Sequence, residues 1–124
     1  MTSVLVVDGA NVVGSRPDGW WKDRAGAARR LHESLMTADT PYDEIVLVLE
    51  GAAKGGVRAG RDGHVRSVHA RRDGDSEVIE QTRAACQRGD SVVVITADRV
   101  LRGRCEGLGA QAMSPSWLLD LLGD

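Results

Sequence analysis

The chain has 124 residues, 42% hydrophobic and 27% charged, with a formal net charge of −2 at pH 7. Such a composition describes a globular protein able to bury a core, and excludes a disordered or low-complexity chain. No run approaches the roughly 18 apolar residues of a membrane span, and Asp8 interrupts the first apolar run too early for a secretory signal, so a cytoplasmic protein without membrane contact is expected.

The length argues for a single domain over residues 1–124. Aromatic residues are scarce: Trp20, Trp21, Trp117 and Tyr42, with no Phe. The core must then be Val, Leu, Ile and Ala, which suits a parallel sheet between helices. Cys86 and Cys105 have no C-x-x-C spacing and fall on apolar faces of expected helices, so both are read as reduced core residues. Charge is unevenly spread. From Lys54 to Arg72 there are six basic residues and one acid, Asp62, which leaves the rest of the chain acidic. A basic segment beside a cluster of acids is compatible with holding a polyanion at a metal site, but charge alone favours a solvated Arg-rich loop.

In chain order, Ser3–Val7 is a buried strand that stops at the turn signal Asp8-Gly9. A loop is expected from Asp8 to Lys22. It carries the Trp20-Trp21 pair, of which at least one ring is expected to pack; stacking on bases is the other role open to them. Helical spacing of Ala28, Leu31, Leu35 and Ala38 predicts a helix over Asp23–Ala38 with Asp23 as N-cap. Ile45–Leu49 is a second buried strand, ending at Glu50-Gly51. Gly51–Gly63 holds five glycines and no apolar period, so a flexible loop is expected. A short strand near a sheet edge follows at Val65–Val68.

Asp75 opens the next helix, whose buried face is Val78, Ile79, Thr82, Ala85 and Cys86, with Gly89 as its stop. Ser91–Ile95 is a third buried strand. It leads through Thr96-Ala97-Asp98 into a helix expected to bury Val100, Leu101 and Cys105. Ala110–Met113 is a last strand. Ser114 caps a final helix, Ser116–Leu122, with Pro115 at its first position. Alternating strands and helices predict an α/β fold, a three-layer α/β/α sandwich with a mostly parallel sheet of about five strands.

Asp8, Glu50 and Asp98 all follow buried strands. Singly, an acid before glycine is turn chemistry, and Asp75 or Asp98 alone would be read as a helix cap. Three strand ends bearing acids together are not explained so simply. If the strands are adjacent, the carboxylates converge and repel, and a divalent cation relieves that repulsion. An all-oxygen set favours Mg²⁺ or Mn²⁺, and such a site can activate water against a phosphodiester. Other site patterns fail. There is no P-loop, no dinucleotide fingerprint and no nucleophile elbow. His32, His64 and His69 have no ligand-like spacing.

Three stretches carry a family resemblance. Val6-Val7-Asp8-Gly9-Ala10-Asn11-Val12-Val13-Gly14 resembles the opening motif of the NYN domains, the YacP-like branch of the PIN-like nucleases. Gly74-Asp75-Ser76-Glu77 resembles their mid-chain acidic motif, and Thr96-Ala97-Asp98-Arg99-Val100-Leu101-Arg102 their motif after the fourth strand. Order and spacing agree over nearly the whole chain. The resemblance implies a PIN-like fold and metal-dependent cleavage of RNA. It implies that Asp8, Asp75 and Asp98 are catalytic metal-site acids assisted by Glu50. It also implies that Asn11, Thr96, Arg99 and Arg102 serve substrate binding, Asn11 by ordering the first loop and Thr96 by supporting the site. Ser76 stands where relatives often carry a second acid, which leaves either Asp75 or Glu77 to face the metal.

The expected function is hydrolysis of RNA phosphodiester bonds with Mg²⁺ or Mn²⁺ as cofactor and RNA as partner. Alternatives are an inactive PIN-like RNA-binding or interaction module, and a phosphohydrolase acting on nucleotides. A phosphoacceptor receiver lacks its parts, since the strand before Ala70 ends in His69 and no Lys follows the last strand. A homodimer stays among the assemblies open to the chain.

Overall fold

The structure, a computed structural model, describes residues 1–123. Its elements are β1 (Ser3–Asp8), α1 (Gly9–Gly14), α2 (Arg24–Thr37), β2 (Glu44–Leu49), β3 (Gly60–Asp62), β4 (Val65–His69), α3 (Gly74–Gln87), β5 (Ser91–Ile95), α4 (Arg99–Gly107), β6 (Gln111–Met113) and α5 (Pro115–Leu122). Single 3₁₀ segments cover Trp20–Lys22 and Gly51–Gly56. The sheet has six strands in the order β3-β4-β2-β1-β5-β6. All neighbours pair parallel except β3 with β4. No helix among the described residues is long and apolar enough to cross a membrane.

Period-two alternation divides the core. Leu5, Val7, Ile45, Leu47 and Leu49 face α1, α2 and α5, where they meet Val12, Leu31, Leu35 and Leu118. Val4, Val6, Val46, Val48, Val92 and Val94 face the other layer, against Val78, Ile79, Ala85, Leu101 and Cys105 of α3 and α4. Strands apolar on both sides are what a sheet covered by two helical layers requires. The caps read from the sequence are present. Asp23 accepts from Gly26 N at 2.9 Å, and Ser114 Oγ accepts from Trp117 N at 3.2 Å with Pro115 at the first helical position.

Three segments differ from expectation. The stretch after Asp8 begins with α1 instead of a turn. Gly9 permits this, because a Cβ there would lie 2.5 Å from the Val48 carbonyl oxygen. A six-residue helix entered directly from a strand has too little apolar period to be read from sequence. The stretch expected as a flexible loop is largely ordered. Gly51–Gly56 lies on the start of α2 so closely that a Cβ on Gly56 would overlap the Ala25 carbonyl. β3 then folds back on β4 through Gly63, whose φ of 60° suits a tight turn. Val100 points outward, 72% exposed, so α4 buries only Leu101 and Cys105.

Of the two tryptophans, Trp20 packs against the core and Trp21 is 58% exposed. The basic segment does not act as one surface. Arg61 pairs with Glu44 at 2.8 Å, and Arg66 approaches the same carboxylate at 3.7 Å, so both sit toward the amino end of β2.

Gly9→Ala is expected to lower stability by about 1–3 kcal/mol, since rigid backbone must move to admit the methyl group. Gly14→Ala, whose Cβ would meet only the Trp20 ring at 3.9 Å, serves as the control and is expected to change stability by about 0.5 kcal/mol or less. Urea midpoints at constant m-value distinguish the two.

Candidate active site

Alternation also decides which side chains reach the carboxyl edge of the sheet. Asp8 lies two residues beyond Val6, Glu50 two beyond Val48 and Thr96 two beyond Val94. All three therefore emerge on the side covered by α3 and α4. Asp8 pairs in register with Val48, and Val7 with Ile95, which puts the ends of β2, β1 and β5 side by side.

Asp8 is 2% exposed. Its Oδ2 accepts hydrogen bonds from the Thr96 hydroxyl at 2.9 Å and from the Asn11 side-chain amide. The Thr96 hydroxyl in turn accepts from the Asp98 backbone N–H at 3.1 Å. One buried hydroxyl thus ties two acidic positions together. Asp98 is the N-cap of α4, with Oδ1 accepting from Val100 N at 2.9 Å and Leu101 N at 3.0 Å. Asp75 is not a cap. That role in α3 falls to Asp73, which accepts from Ser76 N at 2.7 Å and leaves Asp75 exposed in the first turn. Glu50 Oε2 accepts from Gly74 N at 3.1 Å. A Cβ on Gly74 would stand 2.7 Å from Glu50 Oε1, so glycine is what lets this carboxylate approach the start of α3.

Electrostatics bind these groups into one cluster. Burial pushes the Asp8 carboxyl above its ordinary range, against the pull of its Asn11 and Thr96 hydrogen bonds, and the Glu50 charge adds to the rise. Asp75 is also raised, first by partial desolvation and then by the charges of Asp8, Asp98, Asp73 and Glu50. Glu77 turns elsewhere. Its Oε2 accepts from Gln81 Nε2 at 3.1 Å, and it lines a cleft of about 490 Å³ with His69, Arg71 and Arg72. Of the two acids that the sequence left open, Asp75 is the one that shares the field of Asp8 and Asp98.

The arrangement is one of proximity without closure. Among the described residues, no three His, Cys, Asp or Glu side chains form a group that could hold a metal ion as they stand. Glu50 instead accepts from Gly74 N, and Asp98 caps its own helix. In chemical kind, the donor set is all carboxylate oxygen, which fits a hard divalent cation that keeps several of its waters.

The expected substrate contacts separate into two kinds. Arg99 and Arg102 are exposed on α4, and neither side chain has a partner among the described residues. Thr96 is buried at 2% exposure with its hydroxyl engaged on both sides, so it positions Asp8 and Asp98 and does not face a substrate. Asn11 likewise spends its amide on Asp8. Sequence reasoning missed Gly74 as the seat of Glu50 and Asp73 as the cap. The spacing Asp73-Gly74-Asp75-Ser76 was the available signal for the latter.

No protein-family model matches the chain, and no curated protein sequence does. Solved structures do. The fold is that of Rae1 (YacP) from Bacillus subtilis. The two superpose with a TM-score of 0.80 at 20% identity, over 98% of this chain and 74% of that one. A W-to-L variant of Rae1 gives 0.76 at 18% identity, over 98% and 76%. Identity this low makes the likeness one of architecture. The six-strand, mostly parallel sheet flanked by helices matches the Rae1 fold, and in this chain Asp8, Glu50 and Asp98 stand at the carboxyl edge of that sheet.

Removing the buried charge is expected to stabilise the protein. A carboxyl raised on folding binds its proton more tightly in the folded state. Its favourable contribution is complete below the unfolded value and is lost as pH rises through the folded one. Asp8→Asn should therefore melt a few degrees above wild type at neutral pH in EDTA, with the gap narrowing as pH falls into the acid range. Calorimetric melting curves across pH check both the sign and the convergence.

Proposed function

We propose that the protein is a metal-dependent ribonuclease that hydrolyses RNA phosphodiester bonds at the carboxyl edge of its sheet, with Mg²⁺ or Mn²⁺ held by Asp8, Asp75 and Asp98 and assisted by Glu50. The observation that carries this is geometric: Thr96 links the buried carboxylate of Asp8, on a central strand, to the Asp98 amide, and Glu50 bonds Gly74 N next to Asp75. The resemblance of the three motifs to the YacP-like branch of the PIN-like nucleases, and the fold shared with Rae1 (YacP), support the same reading.

A bound divalent cation would lower the pKa of a water and neutralise charge building on phosphate oxygens. The chain's own residues do the rest. Asn11 and Thr96 fix the rotamer of Asp8 by engaging Oδ2. Thr96 couples that carboxylate to the start of α4 through the Asp98 amide. Asp75, exposed and raised, holds a proton more readily than an ordinary Asp until the neighbouring charge is neutralised. Arg99 and Arg102 set two positive charges one turn apart beside Asp98, suited to backbone phosphates flanking the cleaved bond.

On RNA pools with Mn²⁺ or Mg²⁺, Asp8→Asn and Asp75→Asn are each expected to lower the cleavage rate by about 100-fold or more while circular dichroism stays native. Thr96→Val, which removes only positioning, should lower it by about 10–100-fold. Cleavage in Asp8→Asn equal to wild type overturns the proposal. Arg99→Gln and Arg102→Gln should each reduce the salt dependence of RNA binding by about 0.7 in the log–log slope, the value for one lost single-strand phosphate contact.

A further inference from the structure

A second concavity adjoins the acid edge. It encloses about 380 Å³ between α1, the start of α2 and the Gly51–Gly56 segment, and Gly9, Ala10, Trp20, Arg24, Glu50 and Ala53 are on its walls. Two of those residues tie it to the site: Gly9 directly follows Asp8, and Glu50 belongs to the acid cluster. Its polar and apolar parts are unevenly placed. The walls near Asp8 and beyond Glu50 are small, glycine and alanine, and leave a slot. Opposite stands the indole of Trp20, half-buried and packed against the core, with the Trp21 ring edge-on at 6.0 Å. The Arg24 guanidinium lies over the Trp20 ring, 5.2 Å from its centre, so that the indole backs the cation.

We infer that this pocket receives one unpaired nucleobase of the RNA chain lying across the acid edge, so that the substrate is single-stranded there. The inference rests on the ribonuclease proposal for what occupies the neighbouring acids. The Arg24 guanidinium, backed by the Trp20 indole, presents a planar cation to a concavity of otherwise small residues, and a flat heterocycle stacks on such a face without regard to sequence. Arg24 adds charge for the phosphate that travels with that base. A base in a duplex is stacked and paired and does not enter such a slot. The pocket therefore selects by strandedness, and the RNA chain that leaves it runs from Gly9 and Glu50 toward the carboxyl edge of the sheet.

The test uses the full chain and a short oligoribonucleotide in three forms: intact single strand, the same strand with one abasic position moved along it, and the duplex. Binding is read by fluorescence anisotropy in EDTA, and cleavage separately with Mn²⁺. The expected result is that one abasic position weakens binding by about 5- to 100-fold, that the duplex binds more weakly than the single strand, and that the abasic effect vanishes in Trp20→Leu and Arg24→Gln. Arg24 is exposed, so its variant tests the pocket even where Trp20→Leu perturbs folding. Equal binding of every abasic strand, or an abasic effect that persists in Arg24→Gln, overturns the inference. Cleavage without an abasic effect removes the pocket and spares the nuclease proposal. An abasic effect without cleavage in any metal does the reverse.

Discussion

The carboxylate of Asp8 and the two side chains that grip it are the constraint around which this protein is arranged. β1 is a central strand with apolar residues on both faces, and its last residue carries an acid into nearly complete burial. Such a group is unfavourable unless hydrogen bonds compensate it. Thr96 and Asn11 provide them, one from the neighbouring strand end and one from the helix that follows. The compensation is partial, as the raised carboxyl shows. A buried carboxylate compensated only in part costs the protein some stability.

Close backbone contacts convert that local arrangement into a larger edge. Gly9 lets α1 start against β2, and Gly74 lets Glu50 reach the beginning of α3. Each glycine serves where a methyl group would strike an oxygen atom. The four acids are tied down to different degrees. Asp98 is committed to its helix, Glu50 to a backbone amide, Asp8 to two side chains, while Asp75 stays exposed above them. The carboxyl of that exposed member is raised first by partial desolvation and then by the charges of its neighbours. Strong fixation of three groups and freedom of the fourth is compatible with a site that adjusts when a ligand arrives.

Basic residues are distributed by the same logic. Arg61 and Arg66 are close in sequence to Lys54, Arg71 and Arg72, yet Glu44 draws the first two to the amino end of the sheet. Arg99 and Arg102 stand at the acid edge because α4 begins there. A charge run read along the chain overstates how much of it shares one surface, because successive strand residues alternate faces and each pairs with its nearest acid.

By itself the sequence determined the alternation of strands and helices, the apolar runs of β1, β2 and β5, the caps at Asp23 and Ser114, and the presence of acids at successive strand ends. These are local patterns, carried by periods of two and 3.6 residues and by single capping groups. Only the tertiary structure decided that β2, β1 and β5 are neighbours, that Glu77 bonds Gln81 while Asp75 stays exposed in the first turn of α3, and that Thr96 is a buried strut. It also decided the order of the Gly51–Gly63 stretch and the outward turn of Val100. The physical reason is common to all of these. Strand order, register and the approach of one backbone to another are contacts between residues far apart in the chain, and no local period encodes which distant partner a side chain will meet.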